Sequence, residues 1–310
     1  MTTVLQGKDI LRTDTLTMDE VDLILATAAR FQEQLGAGER LEHMAGRVMA
    51  SLFFEPSTRT RLSFEAAMHR LGGAVITVAD PETSSAAKGE SLADAIKVVE
   101  GYADVIAIRH PREGSAAEAA KAAGVPVING GDGAGQHPTQ ALLDAYTIQK
   151  EKGSLAGLTV ALAGDLKNGR TVHSLAPLLA RLDMRLIFVS PTQLQMPTSI
   201  TDELLAAGAE ISETEDLAEA MRESDVVYMT RIQKERFEDP AEYERLKGAY
   251  VLDAAMVERA REGITIMHPL PRVNEIKEEV DAYPGAAYFR QAHNGVPVRM
   301  ALLALVTGRV

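Results

Sequence analysis

Several short strings in the sequence place hydroxyl, guanidinium and imidazole groups where an anion could be held. Ser57-Thr58-Arg59-Thr60 opens a helical pattern. The first backbone N–H groups of a helix lack intrahelical partners and the helix dipole is positive there, so hydroxyl side chains complete an anion cradle and Arg59 adds a charged fork. The same string also fits a plain N-cap with solvated arginines. Arg109 directly follows the apolar run 105–108, at the carboxyl end of a strand, where ligands of open α/β sheets bind; a solvated arginine is the plainer alternative. His137-Pro138-Thr139-Gln140 opens a helix behind the glycine-rich run 130–135. Its proline suits a first turn, and His137 and Gln140 offer donors to one side, unless they are a capping histidine and a surface glutamine.

The second half of the chain repeats the theme. Gly164-Asp165-Leu166-Lys167-Asn168-Gly169-Arg170-Thr171 has the spacing of a phosphate-binding P-loop, with arginine where that motif has lysine. Arginine presents a planar fork suited to a carboxylate or a phosphate, so the exchange is not conservative. A noncatalytic nucleotide-binding module built on this segment is the rival function. Arg231 and Gln233, at alternate positions after the run 226–229, can point into one cleft or belong to an ordinary charged turn. Lys88 stands in the small-residue loop Ser84-Ser85-Ala86-Ala87-Lys88-Gly89, and His268-Pro269-Leu270-Pro271-Arg272 forms a turn whose prolines leave carbonyls available to accept hydrogen bonds. His173 reads as structural. His69, His110 and His293 are isolated, and with no cysteine in the chain there is neither a disulfide nor a thiolate metal site, so no metal and no cofactor are expected.

These residues need a scaffold, and the patterning supplies one. The chain has 310 residues, 46% hydrophobic and 25% charged, which suits a folded protein of two domains. Thr17-Met18-Asp19-Glu20 reads as a capping box leading a helix with Val21, Ile24, Leu25 and Ala28 on one face. Apolar runs at 48–54, 105–108, 125–128, 158–163, 186–189, 226–229, 250–252 and 264–267 alternate with helical periodicities. This grammar predicts an α/β protein of two doubly wound domains, each a mainly parallel sheet flanked by helices. The expected boundaries are 1–150 and 151–290, with the C-terminal helix 291–310 packing back on the first domain. Forty-four acids against 32 bases, no tryptophan and 5% aromatics argue against nucleic acid as a partner. No apolar stretch approaches the roughly 20 residues that span a bilayer and no signal core opens the chain, so a cytoplasmic protein without membrane contact is expected.

In this order the strings FFEPSTRTRLSFE, SSAAKGES, IRHPREG, GDGAGQHPTQALLD, GDLKNGRTVHSL, YMTRIQKERF and HPLPRVNEI resemble the catalytic chains of the aspartate carbamoyltransferase family over nearly the whole length. S-T-R-T and H-P-x-Q are also similar to the ornithine enzymes, whereas R-I-Q and H-P-L-P-R separate the two. The resemblance implies that carbamoyl phosphate binds Ser57, Thr58, Arg59, Thr60 and Arg109, with His137 and Gln140 at the carbamoyl group. L-Aspartate is implied to bind last, to Lys88, Arg170, Arg231 and Gln233. Thr60, Arg109 and His137, with Arg59, are the implied catalytic set; Pro269, Leu270 and Pro271 take part in closure and in orienting the reacting groups. Family members form homotrimers with shared sites, so Ser84 and Lys88 would reach a neighbour's site; regulatory chains are a further partner the resemblance allows. The implied product, N-carbamoyl-L-aspartate, belongs to pyrimidine biosynthesis. Two departures stand out: Ala87-Lys88 where some relatives have paired lysines, and Asn168 where some have an aromatic.

Overall fold

The computed structural model of the chain describes residues 4–79, 89–233, 237 and 239–310. Its contacts divide into two compact units, Met1–Leu143 with Asn294–Val310, and Asp144–His293.

In the first unit β1 (Val48–Phe53), β2 (Ala74–Val78), β3 (Val105–His110) and β4 (Val127–Asp132) form a parallel sheet in the order β2-β1-β3-β4. The central strands are mostly apolar, Ser51 and the carboxyl end of β3 aside, because both faces are covered, as parallel sheets require: Ala50, Leu52, Ile106, Ile108 and Val127 share a core with Ile96, Ala116 and Ala119 of α3 (Leu92–Val99) and α4 (Ser115–Ala122). α1 (Met18–Gly36) begins with the expected capping box. The Thr17 hydroxyl accepts the Glu20 N–H at 3.2 Å, and the Glu20 carboxylate accepts the Thr17 N–H at 2.8 Å. α2 (Thr58–Arg70) links β1 to β2 and buries Phe64, Ala67 and Met68. Both chain ends close this unit: Gly7 N–H donates to the Val306 carbonyl at 2.8 Å, and Ile10 bridges to Ile128.

The second unit carries β5 (Thr159–Ala163), β6 (Arg185–Val189), β7 (Ile211–Thr214), β8 (Val226–Met229) and β9 (Thr265–Met267), all parallel, in the order β7-β6-β5-β8-β9. Its helices include α6 (Arg170–Arg181), α7 (Thr198–Ala206), α8 (Leu217–Glu223), α9 (Pro240–Leu246) and α10 (Ala254–Glu258). Two further helices belong partly to each unit by sequence, α5 (Pro138–Lys152) and α11 (Tyr288–Val306). The fold is therefore α/β, two parallel sheets each flanked by helices. The run 250–252 is not a strand: Leu252 makes one isolated bridge, to Ile276, which satisfies its backbone without extending a ladder. β2 and β7 were not legible as strands. Both are edge strands, half exposed, and lack the unbroken apolar run of a central strand. Among the described residues no helix is long and apolar enough to cross a membrane.

Candidate functional site

In the first unit the expected residues gather at the carboxyl ends of β1, β3 and β4. The register pairs Phe53 with Arg109, so the chain leaves both strands at one level. Ser57 is the N-cap residue of α2 but its side chain makes no capping bond, which separates it from the plain cap. Thr58 and Arg59 are exposed and Thr60 is buried. Arg109 is 8% exposed; its guanidinium donates to the Gly130 carbonyl at 3.2 Å and to Glu55 Oε1 at 3.1 Å. Gly130 is closely packed: a Cβ there would stand 3.2 Å from the Ile108 carbonyl oxygen, a tight approach, and 3.6 Å from Thr60 Cγ2. Thr60 and Arg109 thus converge on Gly130.

The loop between β4 and α5 is built around two buried polar residues. Asn129 donates to the Leu11 carbonyl and to Asp132 Oδ1, both at 3.1 Å, and accepts the Gly131 N–H at 2.8 Å. Asp132 in turn accepts the N–H groups of Gln136 at 2.8 Å and Gly114 at 3.0 Å. This fixes the approach to His137, directly before α5, and to Gln140 in its first turn, both buried. Arg299 of α11 supports the same turn: it donates to Thr139 Oγ1 at 3.1 Å and lies 5.0 Å over the Phe64 ring of α2, a cation–π contact. Neither Glu55 nor Arg299 was foreseen. Glu55 could have been suspected from its place beside the S-T-R-T string; Arg299 sits in an apolar helix with no local signal.

In the second unit Asp165 is the organising group. It is fully buried; Oδ1 accepts the Asn168 N–H at 3.0 Å and Oδ2 the Gln233 N–H at 3.3 Å. Gln233 Nε2 donates to the Asn168 carbonyl at 3.0 Å. The loop after β5 and the segment after β8 are thereby clasped together, bringing Arg170, at the start of α6, into the same neighbourhood as Arg231 and Gln233. Burial pushes the Asp165 carboxyl up, against the hydrogen bonds from Asn168 and Gln233 that hold it down. This arrangement is not a phosphate cradle of the P-loop kind. The Leu166 and Lys167 N–H groups donate to the Leu194 carbonyl, and the Asn168 N–H donates to the Asp165 carboxylate, which repels a phosphate. His173 donates through Nε2 to the Leu166 carbonyl at 2.7 Å, and burial holds its imidazole below the usual range, so it serves the loop as a structural group.

Pro269 and Leu270 are half-buried and Pro271 exposed, in the turn after β9. Ser84 and Lys88 lie outside the described residues. Among the described residues no cluster of three or more His, Cys, Asp or Glu side chains is disposed to hold a metal ion. What the two groups offer chemically is a hydroxyl-rich cationic cradle on one unit and a pair of guanidinium groups with an amide on the other.

Two family models match the chain. Residues 8–151 match "Aspartate/ornithine carbamoyltransferase, carbamoyl-P binding domain", and residues 156–306 match "Aspartate/ornithine carbamoyltransferase, Asp/Orn binding domain". The chain is 53% identical over 303 residues, 98% of each sequence, to the aspartate carbamoyltransferase catalytic subunit of Thermococcus kodakarensis. Among solved structures it is similar to aspartate transcarbamoylase from Trypanosoma cruzi in complex with N-(phosphonacetyl)-L-aspartic acid, with a TM-score of 0.93 and 45% identity over 98% of this chain and 97% of that one. It is also similar to the catalytic subunit of M. jannaschii aspartate transcarbamoylase, with a TM-score of 0.90 and 48% identity over 97% and 98% of the two chains.

Proposed function

We infer the reaction from one premise: the chain belongs to the aspartate/ornithine carbamoyltransferase family. It transfers the carbamoyl group of carbamoyl phosphate to the amine of L-aspartate, giving N-carbamoyl-L-aspartate and phosphate. The observation that supports the choice of amino acid is the clasp at Asp165, in which Gln233, two residues from Arg231, donates to the carbonyl of Asn168, two residues from Arg170. Two guanidinium groups suit the two carboxylates of aspartate; ornithine has one carboxylate and carries an extra amine in place of the other.

For the residues we assign these roles. Ser57, Thr58, Arg59, Thr60 and Arg109 hold the phosphate of carbamoyl phosphate, and His137 and Gln140 hold its carbamoyl group. Arg170, Arg231, Gln233 and Lys88 hold the carboxylates of aspartate. The neutral amine attacks the carbamoyl carbon, a C–N bond forms, and the carbonyl becomes an oxyanion that Thr60, Arg109 and His137 stabilise. The C–O bond to phosphate then breaks, and the amine proton passes to the departing phosphate. Losing one oxyanion donor of this kind costs roughly 10²- to 10³-fold in turnover. Despite a net charge of -12, the anions are bound because screening weakens the distant acids while the arginines act at contact distance. The working form is a cytoplasmic homotrimer in which Ser84 and Lys88 complete a neighbour's site.

Formation of ureido product measured separately with aspartate and with ornithine tests the reaction. The expected result is N-carbamoyl-L-aspartate with stoichiometric phosphate; a preference for ornithine overturns the assignment.

A further inference from the structure

The turn after β9 is held by buried polar side chains to which the reaction gives no role. His268 is 1% exposed and Glu275 4%. His268 Nε2 stands 2.7 Å from Glu275 Oε1, and Nδ1 accepts the Leu270 N–H at 2.8 Å. A ring nitrogen that accepts from an amide keeps its lone pair on that side, so the ring proton sits on Nε2 and is donated to Glu275. Glu275 Oε2 also accepts the Val273 N–H at 3.1 Å and the Asn274 N–H at 3.0 Å, which closes residues 268–275 into a ring. Burial pushes the Glu275 carboxyl up, but the hydrogen bond from His268 and the loop amides outweigh it and leave the group ionised below the usual range.

The ring is anchored from behind. The His268 N–H donates to Gln291 Oε1 at 2.8 Å, Gln291 Nε2 donates to Asp144 Oδ1 at 2.7 Å, and the Tyr228 hydroxyl donates to Asp144 Oδ2 at 2.8 Å. Tyr228 lies on β8, the neighbour of β9, so the histidine is referenced to the sheet itself. Leu270 adopts φ 58°, a left-handed conformation that residues with a side chain rarely take. Such a conformation persists where its surroundings over-determine it, and the Nδ1 acceptor at the Leu270 amide is such a determinant.

We propose that His268 is a positioning residue, fixed as the Nε2–H tautomer between the Leu270 amide and the Glu275 carboxylate, so that the Pro269 and Leu270 carbonyls face the attacking amine. This rests on the aspartate reading above. A proton on Nδ1 would turn the acceptor into a donor and release the Leu270 amide, so the turn requires the neutral ring. Asparagine can reproduce the Nδ1 acceptor through its Oδ1 and alanine cannot, which makes the pair of variants diagnostic.

The test compares His268→Ala and His268→Asn in steady-state kinetics, with carbamoyl phosphate affinity titrated in parallel and the 15N spectrum of the wild-type histidines recorded. Misplacement of a positioning element by about 1 Å costs on the order of 10²-fold, so His268→Ala should lose about that much in kcat with aspartate while its carbamoyl phosphate affinity is unchanged. His268→Asn should recover a large part of the loss, and the wild-type spectrum should show a neutral Nε2–H ring. A folded His268→Ala with wild-type turnover, an Asn variant no better than Ala, or an Nδ1–H ring in the wild type overturns the proposal. If His268→Ala does not fold, the spectrum and the Asn variant still decide. A wild-type chain that makes no N-carbamoyl-L-aspartate overturns the reaction and this proposal together, whereas an active wild type with unaffected variants overturns the proposal alone.

Discussion

Arg59 and Arg231 are assigned to different anions, and their removal should separate in kinetics. Arg59→Ala should weaken carbamoyl phosphate and lower kcat together, because its fork is assigned to the phosphate that leaves. Arg231→Ala should chiefly raise the KM for aspartate. Each lost charge-assisted hydrogen bond is worth about 1.5–3 kcal/mol, or roughly 10- to 150-fold. Initial rates with each substrate varied in turn check this; unchanged KM for aspartate in the second variant would remove Arg231 from the site. Acid should act at the same scale through two groups, the half-buried His173 and the buried Glu275. His173 has its folded pKa depressed by burial, so the native state resists the proton that the unfolded chain accepts below about 6.5. Stability should therefore fall as pH drops through that value toward the folded pKa. Glu275 adds a second loss at lower pH: its folded pKa is lowered, so its contribution is complete above about 4.3 and disappears as pH falls through the folded value. Denaturant midpoints of wild type and His173→Gln between pH 8 and pH 4 should show the first slope reduced in the variant.

At the scale of elements, the loops depend on close backbone approach. Gly164 directly follows β5 at φ 116°, and a Cβ there would stand 2.3 Å from the Thr230 carbonyl oxygen, which is backbone and cannot swing away. Gly164→Ala should force the loop after β5 away from the segment after β8, loosening the Asp165 clasp. A destabilisation of roughly 1–3 kcal/mol by denaturant unfolding, with a raised KM for aspartate, is the expected outcome. The helix starts and the central strands were legible in the sequence because capping chemistry and unbroken apolar runs are local signals: Thr17 and Glu20, or Leu162 and Ile106, announce themselves. The groups that hold the site were harder to read. Asp144 and Gln291 are polar residues whose partners Tyr228 and His268 lie 84 and 23 positions away, beyond any local window, and the pairing of His268 with Glu275, though only seven positions apart, follows no helical or strand periodicity. The P-loop spacing at 164–171 is a local signal too, yet the Asn168 N–H is taken by the Asp165 carboxylate and those of Leu166 and Lys167 by the Leu194 carbonyl.

For the whole molecule, the proposed trimer makes a definite mass, three times 33.4 kDa or about 100 kDa. Light scattering should find it, and mixtures should expose shared sites. Chains carrying Lys88→Ala and chains carrying Arg59→Ala are each expected to be nearly inactive. Unfolded together and reassembled, they should regain activity, because some sites then combine an intact Arg59 with an intact Lys88 from a neighbour. No recovery in a mixed trimer of verified composition would count against sites built from two chains.

The first unit draws on both ends of the polypeptide, from Gly7 meeting Val306 to Asn294–Val310 lying apart from the rest of it by the whole of residues 144–293. Translation runs in one direction, so a nascent chain that has emerged as far as His293 holds every residue of the second unit while the first still lacks its closing helix. The later-numbered unit is thus free to mature earlier, and the earlier-numbered one waits for residues 294–310. A stop codon shortly before Asn294 should consequently yield a product whose amino-terminal half is readily digested by protease while the 144–293 segment survives.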